Sequence, residues 1–262
     1  MADTNLIEKE LEVEVLEVEK SEKTDKAIIA QLEELSAEEV ANLPTLQEMI
    51  KAGVIYGRKK SKMNPKMKPY IYTFRAGVAL FDLLKTLEGI EKAAVFLKEK
   101  MANGGKILIV ATQPSAKDLA KKLAEEWGQF YVVERWLGGM LTNYKTISSR
   151  IDRFKNLKVG RESNKFDKYT KKERLLIDRE IEHLGDLFGG VESMDKLPAA
   201  ILIINAELHE TALREARRTK VPIVALMNSD SNPELVDYSI VGNSNARASI
   251  VWILEKLKSL VK

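Results

Sequence analysis

Cysteine is absent from the 262-residue sequence, and histidine occurs only twice. Disulfide bonds, thiol nucleophiles and thiolate metal sites are therefore excluded. The sequence also lacks an apolar run near the roughly 18 residues that span a bilayer. Its longest apolar run, AAILIINA at 199–206, has the length of a buried strand. The acidic N-terminal stretch has no apolar core segment, so we expect neither a signal peptide nor a transit peptide, and a cytoplasmic location.

Glycines are missing where a nucleotide-binding α/β enzyme needs them. The strand-like run KILIVAT at 106–112 is followed by the glycine-free sequence QPSA. A dinucleotide site requires glycines directly after its first strand, where the pyrophosphate meets a helix N-terminus. Gly104 and Gly105 precede the run, and no GxxxxGK[ST] sequence occurs. A Rossmann-like nucleotide-binding enzyme therefore remains only an alternative.

Candidates for catalysis or metal binding are few. His209 lies at a predicted strand-to-helix junction, where many α/β enzymes place active residues. No HExxH pair or evident histidine–carboxylate cluster supports such a role, so we predict a helix-start or surface residue. Asp230, Glu234 and Asp237 could hold a hard cation, but turn chemistry around Asn232 explains them equally well. We therefore predict no catalytic residue, no metal site and no cofactor.

Charge is distributed unevenly, although the formal net charge is only +3. Residues 1–44 carry 13 acidic and 4 basic side chains, whereas the remaining residues carry 38 basic and 26 acidic ones. An acidic segment joined to a basic body indicates a polyanionic partner for the body. Dense like charge in 6–23 opposes a stable strand. We predict a disordered N-terminal extension at 1–44 and an α/β domain at 45–262.

Apolar, strand-like segments alternate with amphipathic segments of helical length through the body. The predicted strands lie within 106–112, 129–136, 199–207 and 221–228, and the predicted helices within 46–52, 82–102, 115–128, 209–220 and 245–261. Such alternation is typical of βαβ units and of a parallel sheet covered by helices on both faces.

Two charged segments interrupt this alternation. Apolar residues recur at helical spacing in 145–158 and in 171–188, and Thr170 with Glu173 forms a capping box. A short polar connection joins the two segments. We therefore predict an antiparallel helical hairpin inserted at about 143–188.

The stretch GRKKSKMNPKMKPYIYTFR at 57–75 contains no acidic residue. Its prolines disfavour helix and predict an irregular, extended path. Uncompensated cations repel one another unless an anion is bound, and RNA is favoured because no DNA-binding motif is present. The predicted RNA-binding residues are Arg58, Lys59, Lys60, Lys62, Lys66, Lys68 and Arg75, with Arg150, Arg153 and Lys155 of the predicted hairpin.

Aromatic residues alternate at the end of this stretch. Tyr70, Tyr72 and Phe74 would share one face of an extended strand. Aromatics with a period of two usually pack a sheet, so we assign these side chains to the core rather than to a ligand.

The stretch RWLGGMLTNYKT at 135–146 places two glycines after a predicted strand. They lead into the predicted hairpin, and no catalytic groups converge on them. We predict an architectural corner in which the missing Cβ atoms of Gly138 and Gly139 permit close packing or positive φ. Trp136 is predicted to anchor this corner in the core. Arg135 either pairs with a carboxylate or reaches RNA.

Several motifs carry a resemblance to a known family: NPKMKPYIY (64–72), MANGGKILIVAT (101–112), RWLGGMLTNYKTI (135–147), YTKKE (169–173), PAAILIINAELHETALREARR (198–218) and NPELVDY (232–238). In this order and spacing they resemble bacterial small-subunit ribosomal protein two, from about Thr45 to the C-terminal helix.

The resemblance implies a Rossmann-like, flavodoxin-type parallel sheet flanked by helices, with an inserted antiparallel α-helical hairpin. It also implies a non-enzymatic role in translation, the binding of small-subunit rRNA at the head–body junction. The implied protein partners are neighbouring small-subunit proteins, including ribosomal protein one, the large mRNA-binding factor. A ribosome assembly factor that shares the fold is a further alternative.

The sequence departs from the family pattern at several places, including Ser239 and Val241, where prolines are usual, and the acidic extension 1–44. Family members usually read G-H-x-T-x-x-W-N-P-K-M, whereas here the triplet Arg58–Lys60 follows the glycine and Met63 replaces the tryptophan. Local positive charge is therefore higher than the pattern implies. Asn228 stands where an aspartate is usual, which counts against a cation site near 228–237.

Overall fold

The computed structural model describes residues 43–163 and 165–261. The chain divides into two compact units, Met1–Gly53 and Val54–Lys262. The described part of the first unit is helix α1 (Leu43–Lys51), followed by a turn in which Gly53 takes a φ of +72°. Apart from its last two residues, which lie in α1, the predicted extension 1–44 is outside the described residues.

The second unit begins with an antiparallel sheet of three strands. These are β1 (Tyr56–Lys59), β2 (Ile71–Arg75) and β3 (Val78–Phe81), in the spatial order β1-β3-β2. The irregular, extended path predicted for 57–75 is confirmed only in part. The stretch is extended in β1 and β2, but short 3₁₀ helices at Lys60–Lys62 and Pro65–Tyr70 lie between these strands, although the prolines were expected to disfavour helix. Pro65 fits the start of its helix because a first helical position needs no backbone N–H donor.

A second, parallel sheet of five strands follows. Its strands are β4 (Ile107–Val110), β5 (Phe130–Val132), β6 (Ala200–Ile204), β7 (Ile223–Met227) and β8 (Tyr238–Val241), in the spatial order β5-β4-β6-β7-β8. The intervening helices are α2 (Leu83–Ala102), α3 (Lys117–Trp127), α4 (Tyr144–Glu162), α5 (Lys171–Phe188), α6 (Glu210–Thr219) and α7 (Arg247–Val261).

This architecture confirms the predicted α/β class with a parallel sheet flanked by helices. The first strand of the sheet lies between the second and the third, which is the order of flavodoxin-like sheets. Each predicted strand and helix of the body is present, although the strand predicted at 129–136 is reduced to three residues.

Both faces of the parallel sheet are covered. One face packs against α6 and the inner parts of α4 and α5, with Leu108, Ile201, Leu213, Ile147 and Phe188 in one buried cluster. Alternate residues of each strand point to the opposite face, where α2 contacts both β8 and α7. Strands β4, β6 and β7 are apolar and buried throughout, as expected for strands covered on both faces.

Helices α4 and α5 connect β5 to β6. Thr170 caps α5, and its capping box with Glu173 is confirmed, since each side chain accepts the backbone N–H of the other residue. Ion pairs of 2.7 Å join the two helices, between Arg153 and Glu180 and between Arg161 and Asp178. Across 43–163 and 165–261, no helix combines the length and apolar character required to cross a membrane.

Candidate nucleic-acid interface

The carboxyl ends of β4 and β6 flank the point where strand order reverses, which is the ligand site of flavodoxin-like sheets. His209, only 2% exposed, bridges these two ends. Its Nε2 accepts the backbone N–H of Thr112 at 3.2 Å, and its Nδ1 lies 2.8 Å from the carbonyl oxygen of Asn205. Because Nε2 is an acceptor, the ring proton is assigned to Nδ1, which donates to Asn205.

Amide side chains of the surrounding loops form a hydrogen-bond network in this crevice. Asn205 Nδ2 donates to Gln113 Oε1 at 2.9 Å and to Asn245 Oδ1 at 3.2 Å. Gln113 Nε2 in turn donates to the carbonyl oxygen of Ser244 at 2.6 Å. The loops after β4, β6 and β8 are thereby tied together. A nucleotide at the usual place would have to displace this network.

The structure corrects one part of the prediction for His209. The residue is the N-cap of α6, so the helix-start prediction is confirmed, but the surface prediction is wrong because the ring is buried. Burial lowers the pKa of His209, and hydrogen bonds to the carbonyls of Asn205 and Ile204 oppose the shift only in part. A neutral ring is required to accept the Thr112 N–H, so His209 is a structural bridge.

The three carboxylates of 228–237 each have a partner. Asp230 Oδ2 lies 3.1 Å from Arg58 Nε, and Glu234 pairs with Lys66. Asp237 Oδ2 accepts the backbone N–H of Ile223 at 2.8 Å, at the start of β7. Two of the three therefore hold the basic stretch against this loop. Within the described residues, no cluster of three or more histidine and carboxylate side chains has a metal-binding arrangement.

The remaining cations of the basic stretch are exposed. No ion pair to their side chains is present within the described residues. We call this set the basic face, and its members are Lys59, Lys60, Lys62, Lys68 and Arg75. The structure thus separates the seven predicted cations of 57–75 into two that fasten the stretch and five that remain open to an anion.

The cations predicted on α4 differ from one another. Arg153 pairs with Glu180, and Lys155 lies 3.9 Å from Asp195. Arg150 is exposed, and no described residue forms an ion pair with it. Solvent-exposed pairs such as that of Arg153 contribute only about 0–1 kcal/mol, so a phosphate can compete for these cations.

The corner at 136–142 encloses a carboxylate that the sequence did not indicate. Oε1 of Glu215, on α6, accepts the indole N–H of Trp136 at 3.1 Å and the backbone N–H of Gly139 at 2.8 Å. Oε2 accepts the backbone N–H groups of Leu141 and Thr142 and the Thr142 hydroxyl. The corner is therefore an anion-binding nest whose anion is supplied by the chain itself.

Burial by itself would raise the pKa of Glu215. Hydrogen bonds from Gly139, Thr142, Trp136 and Leu141 favour the charged form more strongly, and the pKa is lowered overall. Charge-assisted hydrogen bonds are stronger than neutral ones, so this carboxylate fixes the corner to α6. Trp136 also packs against the core beside α6, as an anchoring side chain would.

The two glycines of the corner have different surroundings. Gly139 takes a φ of +90°, and a Cβ there would lie 3.2 Å from Asn143 Cβ. At Gly138 φ is not positive, and nothing lies within 4 Å of the place for a Cβ. Gly138 therefore has neither the close packing nor the positive φ that were expected to require a glycine.

The assignment of three aromatic side chains to the core is correct only for Tyr70. This residue packs against Met67, Phe81 and Val241. Tyr72 is 71% exposed and Phe74 is 38% exposed, so their assignment is wrong. The prediction of one shared strand face is also wrong, because Tyr70 ends a 3₁₀ helix. Strand β2 is the edge of a small sheet, and within residues 43–163 and 165–261 no further layer covers these two rings.

Fold and surface together define a class of protein. The chain contains an α/β domain whose ligand crevice holds a hydrogen-bond network of its own side chains, and its basic face lies on the separate small sheet and the 3₁₀ helices between β1 and β2. These features are typical of a domain that binds an extended polyanion rather than one that performs catalysis in a pocket.

The family model of ribosomal protein S2 matches residues 49–262, and the chain belongs to the ribosomal protein S2 family. This family is a structural, non-enzymatic component of the ribosome, which confirms that the chain is not an enzyme.

Individual relatives agree with this assignment. Small ribosomal subunit protein uS2 of Bdellovibrio bacteriovorus is 42% identical over 206 residues, which cover 79% of this chain and 66% of that protein. The uS2 protein of Roseiflexus sp. (strain RS-1) is 39% identical over 215 residues, 82% of each chain. That of Psychromonas ingrahamii is 39% identical over 218 residues, 83% of this chain and 89% of that protein.

Proposed function

We propose that this chain is a structural protein of the small ribosomal subunit that binds small-subunit rRNA through its basic face. The observation that carries the proposal is the group of exposed cations, from Lys59 to Arg75, for which no described residue supplies an ion-pair partner. The names of the relatives, small ribosomal subunit protein uS2, support the same role. We expect the chain to act in the cytoplasmic ribosome.

The physical basis of binding is the neutralisation of phosphates. Each cation that meets a phosphate releases a condensed counterion, so affinity falls steeply as salt is added. Arg58 and Lys66 contribute indirectly, because their ion pairs with Asp230 and Glu234 hold the basic stretch in place. A fixed stretch loses less conformational entropy on binding than a free one.

A second part of the proposal concerns α4 and α5. We infer that they form an antiparallel helical hairpin inserted between β5 and β6, with Arg150, Arg153 and Lys155 adding phosphate contacts. The two ion pairs between the helices support this arrangement. Arg135, exposed and without an ion pair among the described residues, is a further candidate for an RNA contact.

The family resemblance supports a proposal for the position in the particle. We propose that the chain lies at the head–body junction, beside neighbouring small-subunit proteins, and supports recruitment of ribosomal protein one. The acidic extension 1–44 lies outside the described residues apart from its end. Because it is anionic, we propose that it faces protein or solvent rather than RNA.

Sedimentation of the tagged full-length chain in a cell lysate at moderate salt tests the proposal. The chain is expected in the small-subunit fraction, and its presence only at the top of the gradient would contradict the proposal. Residence only on precursor subunits, with none on mature ones, would instead favour the assembly-factor alternative.

A matched pair of variants locates the RNA face. K59E/K60E/K62E is expected to lose incorporation into subunits while its circular dichroism spectrum stays unchanged. The control, K98E/K121E/K122E, makes the same charge change at exposed positions of α2 and α3. Equal loss in both variants would mean that net charge, rather than the basic face, governs incorporation.

A further inference from the structure

Two aromatic side chains of β2 lie on the surface beside the basic face. Tyr72 is 71% exposed, and Phe74 is 38% exposed. The Lys60 Nζ atom lies 5.2 Å from the centre of the Phe74 ring. Large apolar side chains are unfavourable in water, so two exposed rings two residues apart on one strand indicate a ligand. We call Tyr72 and Phe74 the aromatic pair.

The exposure of the aromatic pair has a structural origin. Strand β2 pairs only with β3, so it is an edge strand within the described residues. The register places Ile71 opposite Phe81 but Thr73 opposite Leu80, which leaves Tyr72 as the extra residue of a β-bulge. A bulge redirects side chains at its own position, and bulges are frequent beside functional sites.

The turn that follows β2 is held in place by a backbone hydrogen bond. A two-residue turn joins β2 to β3, in which Ala76 and Gly77 have φ values of +47° and +77°. The carbonyl oxygen of Gly77 accepts the backbone N–H of Lys60 at 2.8 Å, which fastens the turn to β1. A fixed platform of this kind reduces the entropy that binding removes.

We propose that Tyr72 and Phe74 form a stacking platform for unpaired bases of single-stranded RNA. The inference rests on the proposed function, and it specifies that the RNA bound at the basic face is single-stranded. Base stacking on aromatic rings is sequence-tolerant, because every base has a π-face. The Lys60 ammonium group lies over the Phe74 ring. A base that stacks on this face therefore displaces the ammonium group, which can then meet the phosphate of the same nucleotide.

Other occupants fit these observations less well. Bases inside duplex RNA are stacked on one another and cannot reach a protein ring. An added protein strand would pair with the open edge of β2, but this strand carries Arg75, and the Lys60 ammonium group lies over its Phe74 ring. Lysine and arginine at an edge oppose strand addition, whereas RNA is attracted by the same charges.

Fluorescence anisotropy with the purified full-length chain tests the platform. The probes are a labelled 12-nucleotide oligo(U) RNA and a labelled 12-base-pair RNA duplex. Tyr72→Ala and Phe74→Ala are each expected to weaken oligo(U) binding by roughly 5- to 100-fold and to leave duplex binding within about twofold. Tyr72→Phe, which keeps the ring, is expected to bind oligo(U) as the wild type does.

Tyr169→Ala is the matched control, since Tyr169 is 41% exposed but lies outside the basic face. It is expected to leave both affinities unchanged. No oligo(U) binding by the wild type, no effect of either alanine variant, or an equal effect on both probes would overturn the platform.

RNA binding by K59E/K60E/K62E, compared with that of the aromatic variants, distinguishes failure of the stacking platform from failure of the proposed function. If the charge reversals abolish RNA binding and the aromatic variants do not, the stacking role is wrong and the proposed function stands. If the charge reversals also leave RNA binding unchanged, the proposed function itself is wrong.

Discussion

The indole N–H of Trp136 donates to the carboxylate of Glu215 at 3.1 Å, across 79 residues of sequence. This contact and four further hydrogen bonds to the same carboxylate join the corner after β5 to helix α6. The glycine-rich corner therefore binds an anion, as a phosphate loop does, but the anion is a side chain of the protein.

Replacing Glu215 tests the importance of this carboxylate. In Glu215→Gln an amide NH₂ group replaces one oxygen and faces N–H donors that then have no acceptor. We expect the free energy of unfolding to fall by about 1–3 kcal/mol, measured by urea denaturation. Glu210→Gln, at an exposed residue of the same helix, is the control and should change it by less than about 0.5 kcal/mol. Equal effects would contradict the role of Glu215.

The pH dependence of stability tests the His209 bridge. The pKa of His209 is lowered in the folded chain, so the unfolded chain binds the proton more readily. Stability is therefore complete above the unfolded pKa of about 6.5 and is lost as the pH falls below it. His209→Gln, which keeps an acceptor for the Thr112 N–H, should remove this part of the pH dependence. An unchanged profile in the variant would show that His209 does not titrate on unfolding.

Alanine substitutions at Gly138 and Gly139 should have different effects on stability. Gly139→Ala places a side chain at a φ of +90°, so we expect a loss of about 1–2 kcal/mol in the free energy of unfolding. Gly138→Ala meets open space at an ordinary φ and should leave stability unchanged or raise it by up to about 1 kcal/mol. Thermal unfolding of the two variants distinguishes these outcomes, and equal losses would contradict the geometry.

The turn between β2 and β3 offers a stabilising change. Ala76 takes a φ of +47°, a conformation that asparagine tolerates better than alanine. Ala76→Asn is expected to raise the free energy of unfolding by about 0.5–1 kcal/mol, and Ala76→Val to lower it. Denaturant titration of both variants measures the difference, and a loss in Ala76→Asn would show that the turn has another conformation.

The sequence predicted the parallel sheet well because its strands are buried on both faces. Runs such as ILIV at 107–110 and AILII at 200–204 are apolar throughout and end at clear helix signals. The capping box of Thr170 was also predicted correctly, since Thr170 and Glu173 lie within one turn of the same helix. A short sequence pattern predicts structure reliably when all the residues that it depends on lie in one strand or helix.

The sequence predicted an extended strand near Tyr70–Phe74 but not the antiparallel sheet that contains β2. Strand β2 is exposed from Tyr72 to Arg75, so its side chains do not alternate between buried and exposed sides, and nothing in the sequence indicates its bulge. The role of Glu215 was missed for another reason. It depends on partners more than 70 residues away, and nothing near Glu215 in sequence indicates them.

The salt dependence of rRNA binding tests the central proposal most directly. The affinity of the full-length chain for purified small-subunit rRNA is measured by filter binding across a series of salt concentrations, for the wild type and for K59Q/K60Q/K62Q. We expect the variant to bind more weakly, with a slope of log affinity against log salt concentration that is smaller by about 0.7–0.9 for each phosphate contact removed. An unchanged affinity and slope would contradict an rRNA-binding role for the basic face.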